Sequence, residues 1–391
     1  MPKKGCRRWF VWLVGGLLGL CLVGTAVSAL SNLGLPAESD GADRLSQNQK
    51  ALLLELSQVR QTIGDAVWPG WGQAVIPAVV YNEAYTFLID YVDPPDGWQR
   101  LPDLADRGGA WELVPDDLIA GQPYYRQKLP ASGETPQAFT VMIGDQWATS
   151  MTTKEWMEIS LRQEMADQLP DPLSRIVPYR VVTGLFIRGS DGYISLLAHE
   201  SFHAYQGSLA PNRLVAAEAA LHADSGYPWA ESEADWQVEL DLLVAALEAK
   251  TVAETASLSR QFLNQRQQRR LTTGLSDAEI AYEQQREWLE GLARYVELET
   301  WRQADLLATY DPVAALTSDR DFDGYGTFDR RWRQEIDQIG RMASDEGETR
   351  FYYTGMAQGV LLDRLLPDWK EQIFAEGVFL EDILETAVSE N

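Results

Sequence analysis

The stretch LLAHESFHAYQ, Leu196 to Gln206, concentrates the chain's potential for chemistry. The sequence holds three histidines, and two of them, His199 and His203, stand four apart with Glu200 directly after the first. On a helix, residues four apart share one face, so both imidazoles aim at a common point. Glu200 sits one step round and can reach an atom held at that point. Two imidazoles and a carboxylate at this spacing form the H-E-x-x-H pattern, in which the histidines bind zinc and the glutamate is the general base. The competing reading is a buried helix whose histidines are satisfied by hydrogen bonds alone. Three polar groups on an apolar helix are costly without a shared partner, so the metal reading is the stronger.

A catalytic zinc takes three protein ligands and keeps a fourth position for water. The phrase EWLEGLARYVELE offers Glu290, followed by Gly291 and Ala293, small residues that let a second helix approach closely. His222, in EAALHADSGYP, is the rival, although it reads as an ordinary helix-end histidine. Glu218, Asp224 and Glu239 complete the field of third ligands.

The two phrases HESFH and EGLARYVE resemble gluzincin-type zinc metallopeptidases, the thermolysin and neprilysin clan. That resemblance implies a zincin-like architecture with His199, His203 and Glu290 as zinc ligands, and a peptide or protein substrate. It covers these phrases and not the whole chain. Glu290 follows His203 by 87 positions, far more than in thermolysin-like enzymes. Those enzymes often carry an aspartate four residues after the ligand glutamate, and here Arg294 stands at that place. Arg294 reads as a partner in an exposed salt bridge, or as a binder of a substrate carboxylate. Glu297, two turns along the same face from Glu290, reads either as a partner of a metal ligand or as a solvated charge.

The chemistry implied is hydrolysis of a peptide bond. Zinc lowers the pKa of its water to about 7, and Glu200 takes the proton and passes it to the leaving amine. A donor for the developing oxyanion is also required. Tyr352 and Tyr353 precede a helix of small residues, and Tyr353 is the first choice. Tyr205 and Tyr295 are lesser candidates, and for all four tyrosines ordinary packing is the competing reading. A second cation site is suggested by DRDFDGYGTFDR, where Asp319, Asp321, Asp323 and Gly324 follow the EF-hand order for Ca2+. Arg330 occupies the position of the closing bidentate glutamate, so an Asp-rich turn is the better reading.

The elements that must position these residues can be read from periodicity. Residues 44–67 have helical spacing, and WPGW stops the helix at Trp68. AVIPAVVY, AYTFLIDYV, QAFTVMIG and VVTGLFIRG are β-branched or aromatic runs bounded by Pro, Gly and Asp, and read as strands. One helix interrupts them near TTKEWMEISLRQEMADQL. From residue 191 onward the pattern is helical. Strands first and helices later predict an α+β fold, with an N-terminal part over 44–190 and a helical zinc-site part over 191–391.

Composition bounds the rest. The formal charge is −25, from 58 acidic and 33 basic residues, a surface that repels nucleic-acid backbones. Lys3, Lys4, Arg7 and Arg8 precede an apolar run from Trp9 to Leu30, long enough for a transmembrane anchor and also compatible with a signal peptide. Either would place the remainder outside the cytoplasm, beyond a linker over 31–43. Both cysteines, Cys6 and Cys21, lie in this leader, so a metal in the exported part must use His, Asp or Glu. Two other functions fit the same residues: a non-catalytic zincin-like interaction module, and a metal-dependent amidase acting on a non-peptide substrate.

Overall fold

A computed structural model describes residues 24–28, 30–137, 141–171, 173–187, 189–221, 226–229, 233–326 and 328–391. Most of the apolar N-terminal run lies outside these residues, as do His222 and Asp224. Among the described residues no helix is long and apolar enough to cross a membrane. The architecture is α+β.

The first long helix, α1 (Gln47–Val67), starts where the Ser46 side chain accepts from the Gln49 amide at 3.1 Å, and stops at Trp68 before Pro69. Eight strands come next: β1 (Ala78–Tyr81), β2 (Tyr85–Ile89), β3 (Trp98–Arg100), β4 (Asp106–Arg107), β5 (Glu112–Leu113), β6 (Tyr125–Lys128), β7 (Val141–Ile143) and β8 (Gln146–Thr152). They form one sheet in the order β4-β3-β7-β8-β1-β2-β6-β5. β1 runs parallel to β8, with Val80 opposite Met151, and antiparallel to β2, with Val80 opposite Phe87. The two-residue alternation of strands then divides the side chains. Val80, Phe87 and Met151 join the main core, while Val79, Leu88, Val141 and Ala148 form a smaller cluster on the other face.

The helices after the sheet are α2 (Lys154–Gln168), α3 (Tyr179–Phe186), α4 (Ser190–Leu209), α5 (Pro211–Leu221), α6 (Glu233–Glu248), α7 (Val252–Thr273), α8 (Asp277–Arg286), α9 (Leu292–Leu306), α10 (Phe328–Ile339), α11 (Thr349–Leu365) and α12 (Leu380–Glu390). A π-helical turn, Glu287–Gly291, joins α8 to α9. The run VVTGLFIRG, expected as a strand, instead contributes to α3. Pro178 precedes the helix, and the Thr183 hydroxyl donates to the Tyr179 carbonyl at 2.7 Å, four residues back. A β-branched run is a weak signal for a strand, which tertiary context overrides.

α4 is the helix that carries HESFH, and it lies between β8, α1 and α9. Gly207 permits its approach to the sheet: a Cβ there would stand 2.7 Å from the Trp147 ring. The Trp301 indole of α9 donates to the Ser195 hydroxyl at 2.5 Å, and the Gln49 amide of α1 donates to the Tyr193 hydroxyl at 3.1 Å. The helix is thus fixed from three sides before any ligand is considered.

The Asp-rich loop does not gather its carboxylates around a common point. Asp319 accepts from the Ser190 hydroxyl (2.5 Å) and from the Asp321 amide (2.9 Å), and the Asp321 carboxylate pairs with Lys154 (3.3 Å). The Asp321 carbonyl accepts from the Ser190 amide at 2.8 Å. Gly189 supplies no side-chain cap, so this loop caps α4 from a distance, satisfying donors at the helix start. The calcium expectation for Asp319, Asp321 and Asp323 is therefore replaced by a capping role for Asp319 and Asp321.

Candidate metal centre

His199 and His203 project from the middle of α4 and are 5% and 2% exposed. Their rings meet edge to face, 4.6 Å between centroids. Facing them is Glu290, 1% exposed, on the π-helical turn. His199 Nε2 stands 3.1 Å from Glu290 Oε2, and His203 Nε2 stands 3.4 Å from the same oxygen. Among the described residues, these three form the one group of His, Cys, Asp and Glu whose ligand atoms lie within 4.8 Å of one another.

A close helix crossing brings Glu290 there. A Cβ on Gly291 would lie 2.5 Å from the Gly355 Cα of α11, so both glycines are needed for the backbones to touch. The π turn adds a residue to the helical repeat and rotates the side chains of α9 relative to those of α8, a device common at functional sites. Glu290 Oε1 accepts from Arg286 Nη2 at 2.9 Å, and the same nitrogen reaches Glu348 at 2.7 Å.

The remaining ring nitrogens are fixed by separate acceptors. His199 Nδ1 donates to Glu297 Oε1 at 2.9 Å. His203 Nδ1 donates to Gln206 Oε1 at 2.8 Å, and the Gln206 amide nitrogen donates in turn to the Trp288 carbonyl at 2.8 Å. With Nδ1 protonated on both rings, both Nε2 atoms are aimed at the point where Glu290 stands.

Glu297 is held from behind. Arg294 is 7% exposed; its Nη1 donates to Glu297 Oε2 at 2.5 Å, and its Nη2 contacts both oxygens of Glu335 on α10 at 2.7 Å. The expected exposed salt bridge is thus a buried one, and it serves His199 through Glu297. Burial raises the pKa of the Glu297 carboxyl, but Arg294 and His199 outweigh that and hold it down at about 2.

Glu200 has a different environment. It is 9% exposed, and its Oε2 is buried with no hydrogen-bond partner. Burial pushes its carboxyl up to about 7, with Glu290 and Glu218 adding to the rise against the two imidazoles. Glu218, on α5, is 6% exposed and is likewise pushed up to about 7 by burial. It lies beside the group of three but is not part of it. Glu239, another proposed ligand, is bound to Arg266 and Arg269 at 2.8 and 2.6 Å.

Of the tyrosines, Tyr352 stacks on the His199 ring, 6.0 Å between centroids at 16°. The Tyr353 ring lies against Arg294, whose guanidinium carbon is 5.3 Å from the ring centroid. Tyr205 donates to the Pro69 carbonyl at 2.8 Å and Tyr295 to Asp363 at 2.7 Å, so both hydroxyls are used elsewhere. Three positioning residues escaped the sequence reading. Gln206 and Arg286 were marked only by their spacing, three after His203 and four before Glu290. Glu335 carried no sequence signal. No protein-family model, no curated protein and no solved structure matches the chain.

Proposed function

We propose that this protein is a zinc-dependent hydrolase of peptide bonds, of the gluzincin kind, held on the outer side of a membrane by its N-terminal segment or secreted through it. The observation that carries the reading is the convergence of His199 Nε2 and His203 Nε2 on one oxygen of Glu290 beside an unpartnered buried Glu200. The donor set fits zinc: two neutral imidazole nitrogens and one carboxylate oxygen are the ligands of a catalytic site with an open position. Each imidazole has a fixed acceptor on its other nitrogen, the arrangement that orients histidine toward a metal.

Bound at His199, His203 and Glu290, zinc would supply Lewis acidity toward water and the scissile carbonyl. Glu200 Oε2, with no competing hydrogen bond, is the acceptor for the proton of the attacking water, and it returns that proton to the leaving amine. Burial, which pushes the Glu200 carboxyl up, favours its holding the proton between the two transfers. The Tyr352 hydroxyl, on the ring stacked against His199, is hydrogen-bonded to Glu290 and would turn from that carboxylate to donate to the developing oxyanion, a role assigned to it ahead of Tyr353 beside Arg294.

Metal analysis and a peptide-library digest read by mass spectrometry test the reading together. The chain is expected to bind close to one zinc, Glu290→Ala to lose it, and Glu200→Gln to keep it while turnover disappears. Cleavage that survives Glu200→Gln would end the assignment.

A further inference from the structure

The apolar run from Trp9 to Leu30 has 22 residues. About 20 suffice to cross a hydrocarbon core, so Ser28, the twentieth, would stand where a spanning run leaves the bilayer. Residues 24–28 and 30–31 are helical. Ser28 is 8% exposed, covered by the folded body, and its hydroxyl donates to the Ile176 carbonyl. One turn on, the Asn32 side chain donates to the Val177 carbonyl at 2.7 Å and accepts from the Tyr179 amide at 3.2 Å. The body therefore grips the run before the run ends. It does so through the connection between the helical turn Leu173–Ile176 and α3, which places that connection at the membrane face. The two stretches that meet there also expose apolar side chains. Val27, Leu30 and Leu33 are exposed on one side of the contact, and Leu173 (48%) and Val181 (62%) on the other. Val27 and Leu30, three apart, share a helix face. On α3, Tyr179 is buried, and Val181, about 200° round the helix from it, points away from the core. Exposed apolar groups gathered from two distant stretches of chain mark a contact surface.

We infer that the turn Leu173–Ile176 and α3 rest on the bilayer, with Leu173 and Val181 set into its surface. The inference rests on the membrane-anchored form of the proposed function and adds to it a second, non-spanning contact made by the folded body. Amphipathic helices lie this way, their apolar face about 5–10 Å into the boundary between headgroups and acyl chains. Arg175 and Arg180 are exposed beside the two apolar residues. Their guanidiniums can reach headgroup phosphates while their stems stay in the apolar layer. The occupant is a zwitterionic phospholipid surface, because a chain of formal charge −25 is repelled by anionic lipid. α3 ends at Phe186 and α4 begins at Ser190, so the contact also sets how the helix of His199 and His203 stands on the membrane.

The test measures depth in the full chain, reconstituted into phosphatidylcholine vesicles. Cys6→Ser leaves Cys21 as the one thiol, and an environment-sensitive fluorophore on it reports the anchor. In a background with both cysteines changed to serine, Leu173→Cys and Val181→Cys carry the same fluorophore. Leu271→Cys, at an exposed position on α7, is the reference. All three are exposed side chains, so the core is left intact. Each label is read against lipids that carry a nitroxide quencher on the headgroup or on the acyl chain. The labels at Leu173 and Val181 are expected to shift their emission to the blue and to lose it to the nitroxides, at a depth within about 5–10 Å of the headgroup boundary. The label at Cys21 is expected to lose its emission to the acyl-chain nitroxide, and the label at Leu271 to keep its emission with either lipid. A quenched label at Cys21 with unquenched labels at Leu173 and Val181 would overturn the inference alone. Quenching at Leu271 equal to that at Leu173 and Val181 would also overturn it, as adsorption without a preferred face. An unquenched label at Cys21 would remove the anchor and this inference with it.

Discussion

Two buried charged clusters meet at the turn between α8 and α9, and they differ in completeness. Behind Glu290, the guanidiniums of Arg266, Arg269 and Arg270 interlock with Glu239, Glu283, Glu287 and Glu381. Every guanidinium nitrogen there has a carboxylate partner, and every carboxylate oxygen is bonded. Thr354, Gln358, Gln284 and Tyr227 add further hydrogen bonds. In front of Glu290, Glu200 keeps a buried oxygen with no hydrogen-bond partner. Desolvating ions is costly in both clusters, but only the rear one offsets that cost within the protein. Glu287 belongs to the rear cluster and Glu290 to the front one, three residues apart on the same π turn. A saturated network therefore holds the backbone from which an unsaturated site is presented. A cluster whose hydrogen bonds are complete is scaffold, and one that keeps an unpartnered carboxylate oxygen beside converging imidazoles is where an outside cation belongs.

The sharpest way to break this contrast is to make the scaffold incomplete. Arg266→Met removes bonds from three carboxylates at once, and urea unfolding should register a loss of about 3–5 kcal/mol. A loss below about 1 kcal/mol would mean the network contributes little.

Acid attacks the same cluster more gently. Burial raises the Glu381 carboxyl, but Arg266 and Arg270 outweigh it and hold it at about 2. A carboxyl depressed on folding contributes its full stability above the unfolded value near 4.5, and loses it as pH falls toward 2. The gap corresponds to about 3 kcal/mol. Urea midpoints measured between pH 6 and pH 3 should fall, and Glu381→Gln should flatten that slope. An unchanged slope in the variant would assign the acid sensitivity elsewhere.

The smallest effect sharpens the other side. Glu297→Gln keeps the shape of the side chain and weakens its hold on His199, so zinc affinity measured by chelator competition should drop about 10- to 100-fold with the fold retained. Unchanged affinity would show that Glu297 does not orient the ligand.

Much of the front cluster was legible in HESFH, because two residues four apart face the same way on any helix that forms. Glu290 was legible through Gly291, whose missing side chain announces a close crossing. Its partner in that crossing, Gly355, lies 64 residues on and gave no comparable notice. The Asp319 loop misled because its order of acids matches a cation loop, while its oxygens are taken by Ser190, the Asp321 amide and Lys154. Arg294 misled because charge on a helix usually faces water, and here Glu335 arrives from α10 to bury it.

What the amino-acid order determined by itself was local: which side chains share a helix face, where Ser46, Thr251 and Ser276 start helices, and that the available metal donors after Cys21 are imidazole and carboxylate. What tertiary structure alone decided was which of 58 acidic residues meets the histidine pair, which ones arginines neutralise and which are left unpaired. The reason is physical: helical periodicity acts over a few residues, whereas the fate of a buried charge depends on every charge that folding brings near it, at any distance along the chain.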